Sequence, residues 1–302
     1  MVNLLNEDLR GEHQAIVQYL YHAYAATDEA LRARLEGIAR DEMRHFEWLS
    51  ERIVALGGRP TLEREEILKE GAMPRLIAHD LEGEEQAIAR YRLHQKLIGE
   101  EELVRLLERI ISDEEAHREA LSEILHELET STESGASEKE AESAEVNSSL
   151  SEELARLNRG VRHEYTVILD YLYHAFTAAG CEEKEELLKV AVDEMKHLGW
   201  LAEKVEELGG RPEIDTEGEI PRTGLEEMLR RSLVTEERVI AEYAEDSRVL
   251  PEPSLRQMLE RIRGHEVYHQ YLLARLLAEL AERRGPAWTV GSLLGEPQEQ
   301  KR

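Results

Sequence analysis

The chain is short of cysteine, aromatic residues, proline and long apolar runs, and each shortage closes off a class of protein. Its single cysteine, Cys181, excludes an intramolecular disulfide, a CxxC redox pair, a cysteine-based zinc knuckle and a CxxCH haem attachment. No apolar run approaches the length of a membrane span. The opening MVNLLNEDLR has no basic stretch followed by an apolar run, so no signal peptide is expected and the cytoplasm is the expected compartment. Lys and Arg number 38 against 65 Asp and Glu, a formal net charge of -27. A surface of that sign favours solubility, repels nucleic acid and anionic lipid, and draws in cations. Aromatics make up 5% of residues and prolines number 8, while Ala, Leu, Glu and Arg are abundant; this is helix-forming composition.

What the chain does have is a repeat. Glu12, Glu42, His45, Glu84, Glu114 and His117 return as Glu164, Glu194, His197, Glu236, Glu266 and His269, at a constant offset of 152 residues. Most residues between them differ. A chain of 302 residues suits two domains, here a first copy over 1–129 and a second over 150–284. Between them, 130–149 is a Ser/Glu/Ala-rich stretch that cannot repay its ordering entropy, expected to be a flexible acidic linker. Residues 285–302 form a C-terminal tail.

Each copy reads as four helices. In the first, helix 1 covers about Asn3–Ala26. A turn at Thr27-Asp28 offers an N-cap to a helix that ends at Gly57-Gly58-Arg59-Pro60, a stop matched by Gly209-Gly210-Arg211-Pro212. After a long crossover, helices cover about Pro74–Ile98 and Glu101–Glu129; Pro251-Glu252-Pro253-Ser254 separates the last two in the second copy. The expected fold is all-α: two antiparallel four-helix bundles in tandem. Cys181 falls at the first short turn of the second copy, where the first has Glu29, and is read as incidental.

The ligand types share the symmetry of this layout. Glu12 to Glu42 and Glu84 to Glu114 are both 30 residues, so each helical hairpin carries one lone Glu and one Glu-x-x-His. Glu and His at i and i+3 share a helix face. Two hairpins brought together converge four carboxylates and two imidazoles on the bundle axis. Buried without counter-ions, those carboxylates are costly; two divalent cations remove the penalty, and this donor set favours iron or manganese over zinc. Tyr19, Tyr91, Tyr171 and Tyr243 follow the lone glutamates by seven residues, which keeps them on the ligand face. They are hydrogen-bond donors to a ligating carboxylate, one-electron donors, or ordinary core tyrosines. His22 and His174 point off that face and suit packing or an interface. Trp48 and Trp200 read as core or interface anchors, and Glu85 and Glu237 as solvated or entry-path glutamates rather than a seventh ligand.

At these residues the chain resembles the ferritin-like superfamily, most closely bacterioferritin. Asp41-Glu-Met-Arg-His45, Asp193-Glu-Met-Lys-His197, Asp113-Glu-Glu-Ala-His117 and Glu-Glu-Met-Leu-Arg230 carry the resemblance, which covers nearly all of both copies. It implies ferroxidase-type ligands at the twelve positions, with Glu42 and Glu114, and Glu194 and Glu266, as bridging pairs. The implied activity is oxidation of Fe(II) by O2 or peroxide at two di-iron centres per chain, with Tyr19 and Tyr171 beside them. Rubrerythrins, a related group to be separated from this one, carry a Cys-rich module absent here, and tend to a further glutamate where this chain has Ala87 and Val239; both differences favour the bacterioferritin-type site. Met43 and Met195 match the methionine that gives bacterioferritins a haem b at a two-fold interface. The two copies would then form an intramolecular pseudo-dimer, with further homo-oligomers possible on the same pattern. Ferritin cages add a short fifth helix; here the first copy runs into the linker and the second into Pro286-Ala-Trp-Thr-Val, so a storage cage is not implied. Two other readings of the scaffold are a peroxidase or manganese-catalase-type enzyme, and a haem-binding or structural pseudo-dimer without turnover.

Overall fold

A computed structural model describes residues 1–133 and 148–283, and these contain eight α-helices and no strand. They are α1 (Val2–Ala25), α2 (Glu29–Ala55), α3 (Met73–Leu97), α4 (Glu101–Glu133), α5 (Ser148–Thr177), α6 (Cys181–Glu207), α7 (Leu225–Val249) and α8 (Pro253–Arg283). Helix α4 continues past the Glu129 expected from sequence. Most of the expected linker, at 134–147, and the tail from 284 onward lie outside the described residues.

Helix boundaries follow local chemistry. The Asp28 carboxylate accepts from Ala30 N at 2.7 Å and Leu31 N at 3.3 Å, a side-chain cap contributing about 1 kcal/mol. At the far end of α2, Gly57 takes φ +74°. There Gly57 N donates to Val54 O and Gly58 N to Ile53 O, both at 2.8 Å, closing two of the last carbonyls. Gly209, at φ +77°, ends α6 by the same pair of bonds to Glu206 O and Val205 O. The chain beyond each stop is tied back by an asparagine. Asn6 Nδ2 donates to Arg59 O at 3.1 Å and Asn6 Oδ1 accepts from Thr61 N at 2.7 Å. Asn158, its counterpart, does the same for Arg211 O and Glu213 N.

The described residues divide into two compact units, one lying within Met1–Thr177 and Glu194–Ile220, the other within Ala178–Asp193 and 221–283. In the first, α1 and α2 form one antiparallel hairpin and α3 and α4 another; α1 packs on α3 and α2 on α4, which closes a four-helix bundle. Leu35, Ala39, Ile77 and Leu121 fill one end of its core, all with no exposed surface. Within the same unit α2 also packs against α5, where the Phe46 and Phe176 rings lie 6.2 Å apart. In the second unit α7 and α8 pair as a hairpin. No described helix is long and apolar enough to cross a membrane.

Candidate metal centre

The first bundle brings Glu12 of α1, Glu42 and His45 of α2, Glu84 of α3, and Glu114 and His117 of α4 to its centre, each at least 95% buried. Glu12, Glu42, His45 and Glu114 offer ligand atoms all within 4.8 Å of one another, and so do Glu42, Glu84, Glu114 and His117. Glu42 and Glu114 belong to both groups, the placement a bridging carboxylate requires.

Both imidazoles turn Nδ1 inward. His45 Nδ1 lies 3.1 Å from Glu42, 3.2 Å from Glu12 and 3.2 Å from Glu114. His117 Nδ1 lies 2.9 Å from Glu42 and 3.0 Å from Glu114, with Glu84 at 3.8 Å. One N–H cannot serve three carboxylates. A pair of divalent cations can be met by all of them at once, so the donor set fits two metal ions, each with one imidazole and shared carboxylates.

Protonation without metal follows from the same crowding. Burial, with the charges of Glu42 and Glu114, pushes Glu12 and Glu84 well above the usual carboxylate range. Burial also acts to raise Glu42, but hydrogen bonds from His117 and His45 outweigh it and hold Glu42 low. Burial works against a charged imidazole, yet the hydrogen bonds it donates to Glu114 and Glu42 raise His117 to about 11; His45 is raised likewise by donating to Glu114, Glu12 and Glu42. Protons thus occupy the cluster where cations would otherwise balance it.

The surrounding groups cross from one hairpin to the other. The Tyr19 hydroxyl donates to Glu84, and the Tyr91 hydroxyl to Glu12. Both phenols are raised well above their ordinary value, by burial and then by the carboxylate each one faces, so both stay protonated donors. His45 Nε2 reaches Asp113 at 3.4 Å, and His117 Nε2 reaches Asp41 at 3.3 Å.

The ferritin-like domain family matches residues 2–131 and again 154–282.

The chain belongs to the ferritin-like family.

Two curated bacterioferritins are similar to it. That of Desulfovibrio desulfuricans is 37% identical over 124 residues, 39% of this chain and 69% of the relative. That of Mycobacterium leprae is 35% identical over 126 residues, 39% of this chain and 78% of the relative. A solved structure of the D. desulfuricans bacterioferritin, described for its diiron site in different catalytic states, aligns with a TM-score of 0.42 and 34% identity over 43% of this chain and 80% of its own.

In the second ferritin-like domain each unit holds a half-set of the repeated residues. Glu164, Glu194 and His197 in the first unit lie within 4.8 Å of one another by their ligand atoms, with His197 Nδ1 2.8 Å from Glu194. Glu236, Glu266 and His269 in the second unit do the same, with His269 Nδ1 3.0 Å from Glu266 and its Nε2 3.6 Å from Asp193. Tyr171 and Tyr243 are buried.

Other residues singled out from sequence sit as follows. Met43 and Met195 are half-buried, and Glu85 and Glu237 exposed. Cys181 is the exposed first residue of α6. Trp48 and Trp200 are half-buried, with rings 5.8 Å from His45 and 5.7 Å from His197. They pack on the inward-facing imidazoles rather than in the main core. His22 is locked in a buried network, 2.8 Å from Asp80 and 2.8 Å from Leu68 O, while Gln18 donates to Asp80 at 2.7 Å. His174 instead lies against its own helix, 2.8 Å from Asp170 O.

Sequence reasoning missed the roles of Asp41 and Asp113, although both stand in the quoted Asp-Glu-x-x-His segments. The repeat itself carried the signal: Asp193 matches Asp41, whereas His265 replaces Asp113. Also missed was the buried triad of Asp8, His94 and Arg90, in which Asp8 takes His94 at 2.8 Å and Arg90 at 3.1 Å. None of its members recurs in the second copy, where Gly160, Asp246 and Glu242 stand.

Proposed function

We propose that this chain is a ferritin-like di-iron protein with two carboxylate-bridged dinuclear sites, which takes Fe(II) as substrate and oxidises it with O2 or peroxide. The observation that supports this best is the sharing of Glu42 and Glu114 between two three-carboxylate, one-imidazole groups. In this reading the first site is Glu12, Glu42, His45, Glu84, Glu114 and His117, and the second is Glu164, Glu194, His197, Glu236, Glu266 and His269. The bundles span 1–129 and 150–284, and the two copies pack as an intramolecular pseudo-dimer. The packing of α2 against α5 and the hydrogen bond between His13 and Tyr165 support that reading.

Bound Fe(II) supplies one electron per metal, two per site, to the oxidant. The chain's own residues do the rest. Glu42 and Glu114 hold the pair together, and the imidazole Nδ1 atoms of His45 and His117 give each metal one nitrogen. Tyr19 and Tyr91 orient Glu84 and Glu12 from the opposite hairpin, while Asp113 and Asp41 fix the ring planes through Nε2. Metal entry displaces the protons held on His45, His117, Glu12 and Glu84, and these become available to the reduced oxidant. Tyr171 would stand beside the second site as Tyr19 does beside the first.

Aerobic loading of metal-free protein with Fe(II), followed by counting the iron retained per chain after gel filtration, tests this reading. A plateau at about four supports two dinuclear centres; uptake far beyond that in a large assembly makes the chain a storage cage. No retained iron rejects the iron reading, and Mn(II) loading with a catalase assay then tests manganese, which suits the same donors. Haem b between Met43 and Met195 rests on the resemblance, and a Soret band in purified protein tests it.

A further inference from the structure

The first bundle carries a second, shorter repeat. An offset of 72 residues takes Glu12 to Glu84, Tyr19 to Tyr91, Glu42 to Glu114 and His45 to His117. It relates the two halves of the candidate centre, one built on Glu12 and His45 and the other on Glu84 and His117. All of these residues lie in one compact unit.

The same offset takes Asp8 to Asp80, His22 to His94 and Gln18 to Arg90. Each half is therefore backed by a buried Asp–His pair. On the Glu84 side, Asp80 lies 2.8 Å from His22 and accepts from Gln18 at 2.7 Å. On the Glu12 side, Asp8 lies 2.8 Å from His94 and accepts from Arg90 at 3.1 Å. Behind the imidazoles Asp113 and Asp41 also match, and each has an arginine of its own, Arg109 at 3.2 Å and Arg44 at 2.6 Å. The buried difference between the halves is thus one donor, a neutral amide on one side and a guanidinium on the other.

Gln18 and Arg90 both line a cavity of about 750 Å³ whose walls include Glu12, Glu42, Glu84 and Glu114. Arg90 lies over Gly11, where a Cβ would run into its guanidinium; a Cβ at the matching Gly83 would meet nothing. Burial works against the Arg90 charge, yet the groups around it, Asp8 and Glu12 among them, hold its pKa above the ordinary value. Asp8 does not cancel the difference between the halves, because Asp80 stands in its place in the other. At the surface, Glu7 matches His79 and Arg10 matches Glu82, two exchanges of opposite sense. All four side chains are at least partly exposed, where water and salt screen them.

We propose that the two metal positions of this centre are unequal. The position of Glu84 and His117 takes its cation first and keeps it; the position of Glu12 and His45, beside Arg90, fills second and exchanges. This rests on the dinuclear reading above. A guanidinium stays charged at any working pH. In a partly buried setting it repels a neighbouring divalent cation far more than a surface charge would, and an amide in its place does not.

The test uses full-length, metal-free Glu194→Ala chain, which keeps the first centre alone, and Co(II), whose d–d absorption reports binding without turnover. Cobalt should bind in two steps, the second at least about ten-fold weaker. In crystals given one equivalent, anomalous density at the cobalt edge should lie beside Glu84 and His117. Arg90→Gln copies the other half, in which an amide donates to the aspartate. It should strengthen the second step and bring the two together, a gain that misfolding cannot produce. Arg90→Lys keeps the charge and should keep the steps apart. Equal occupancy of both positions at one equivalent, or steps unchanged by Arg90→Gln, would overturn the proposal and leave the dinuclear reading standing. A chain that holds no more than one cobalt at these carboxylates would overturn both.

Discussion

His13 and Tyr165 occupy the same position in the two copies, and they meet: His13 Nε2 lies 2.7 Å from the Tyr165 hydroxyl, both side chains buried. Arg64 Nε also reaches that hydroxyl, at 3.1 Å. A guanidinium only donates, so the phenol accepts from Arg64 and passes its own proton toward His13. Burial and then the Arg64 charge push His13 down to about 4, keeping the imidazole neutral and able to accept. A position that faces its own counterpart would, in a symmetric dimer, set like against like. Here the repeat has diverged into a complementary pair.

Tyr165→Phe should therefore cost about 1–3 kcal/mol, because it strands both partners of a buried hydroxyl. Exchanging the two residues, His13→Tyr with Tyr165→His, should recover part of the loss that His13→Tyr alone inflicts. Thermal melts of the single and double variants check this; no recovery in the exchange would show that the pair is not complementary as described.

Asp41 and Asp113 should behave as positioning residues for the imidazoles. Replacing either by Ala should weaken metal binding at the first site by about 10–100-fold, through a ring left free to rotate. The second copy has Asp193 but His265 at these positions. Titration with Co(II) of Glu194→Ala and Glu42→Ala chains, which keep the first and the second site respectively, checks both points: Asp113→Ala should move the first site's affinity toward the second's.

Tyr19→Phe and Tyr91→Phe remove donors from Glu84 and Glu12 across the bundle. Each should lower metal affinity by about ten-fold while the fold stays intact, and the double change should exceed either one. Isothermal titration of the metal-free chain reads this directly, and unchanged affinity in both variants would make the tyrosines simple packing groups.

The buried pair of His22 and Asp80 should leave a mark on the pH dependence of stability. Burial alone would lower the His22 pKa, but the hydrogen bond and charge of Asp80 raise it above its ordinary 6.5. From about pH 6.5 upward the folded chain holds a proton that the unfolded chain releases, so this stabilisation is full at lower pH and fades as pH rises through the folded value. Asp80→Asn should flatten that fall. Denaturant unfolding at several pH values compares the two slopes, and identical slopes would remove His22 from the account.

The bundle and its ligand set are largely legible in the sequence. Glu-x-x-His places both ligands on one helix face whatever surrounds them, and a repeat shows which of many glutamates are kept. Gly57 announces its own positive φ, and Pro60 bars the helix from resuming. What could not be read depends on contacts between distant segments. Asp41 precedes Glu42 and so points about 100° off the ligand face, toward an imidazole two helices away. Spacing puts Tyr19 on the face of Glu12, yet its hydroxyl serves Glu84 of the other hairpin. His13 finds Tyr165 only once α5 comes against the first bundle, which no pattern within one copy encodes.

In the proposed function each copy holds a metal pair bridged by its two Glu-x-x-His glutamates. Anomalous diffraction at the iron edge from crystals of full-length, iron-loaded chain tests it most directly. The account predicts two peaks between Glu42 and Glu114 and two between Glu194 and Glu266. Iron at the surface alone, with none at these glutamates, would contradict it.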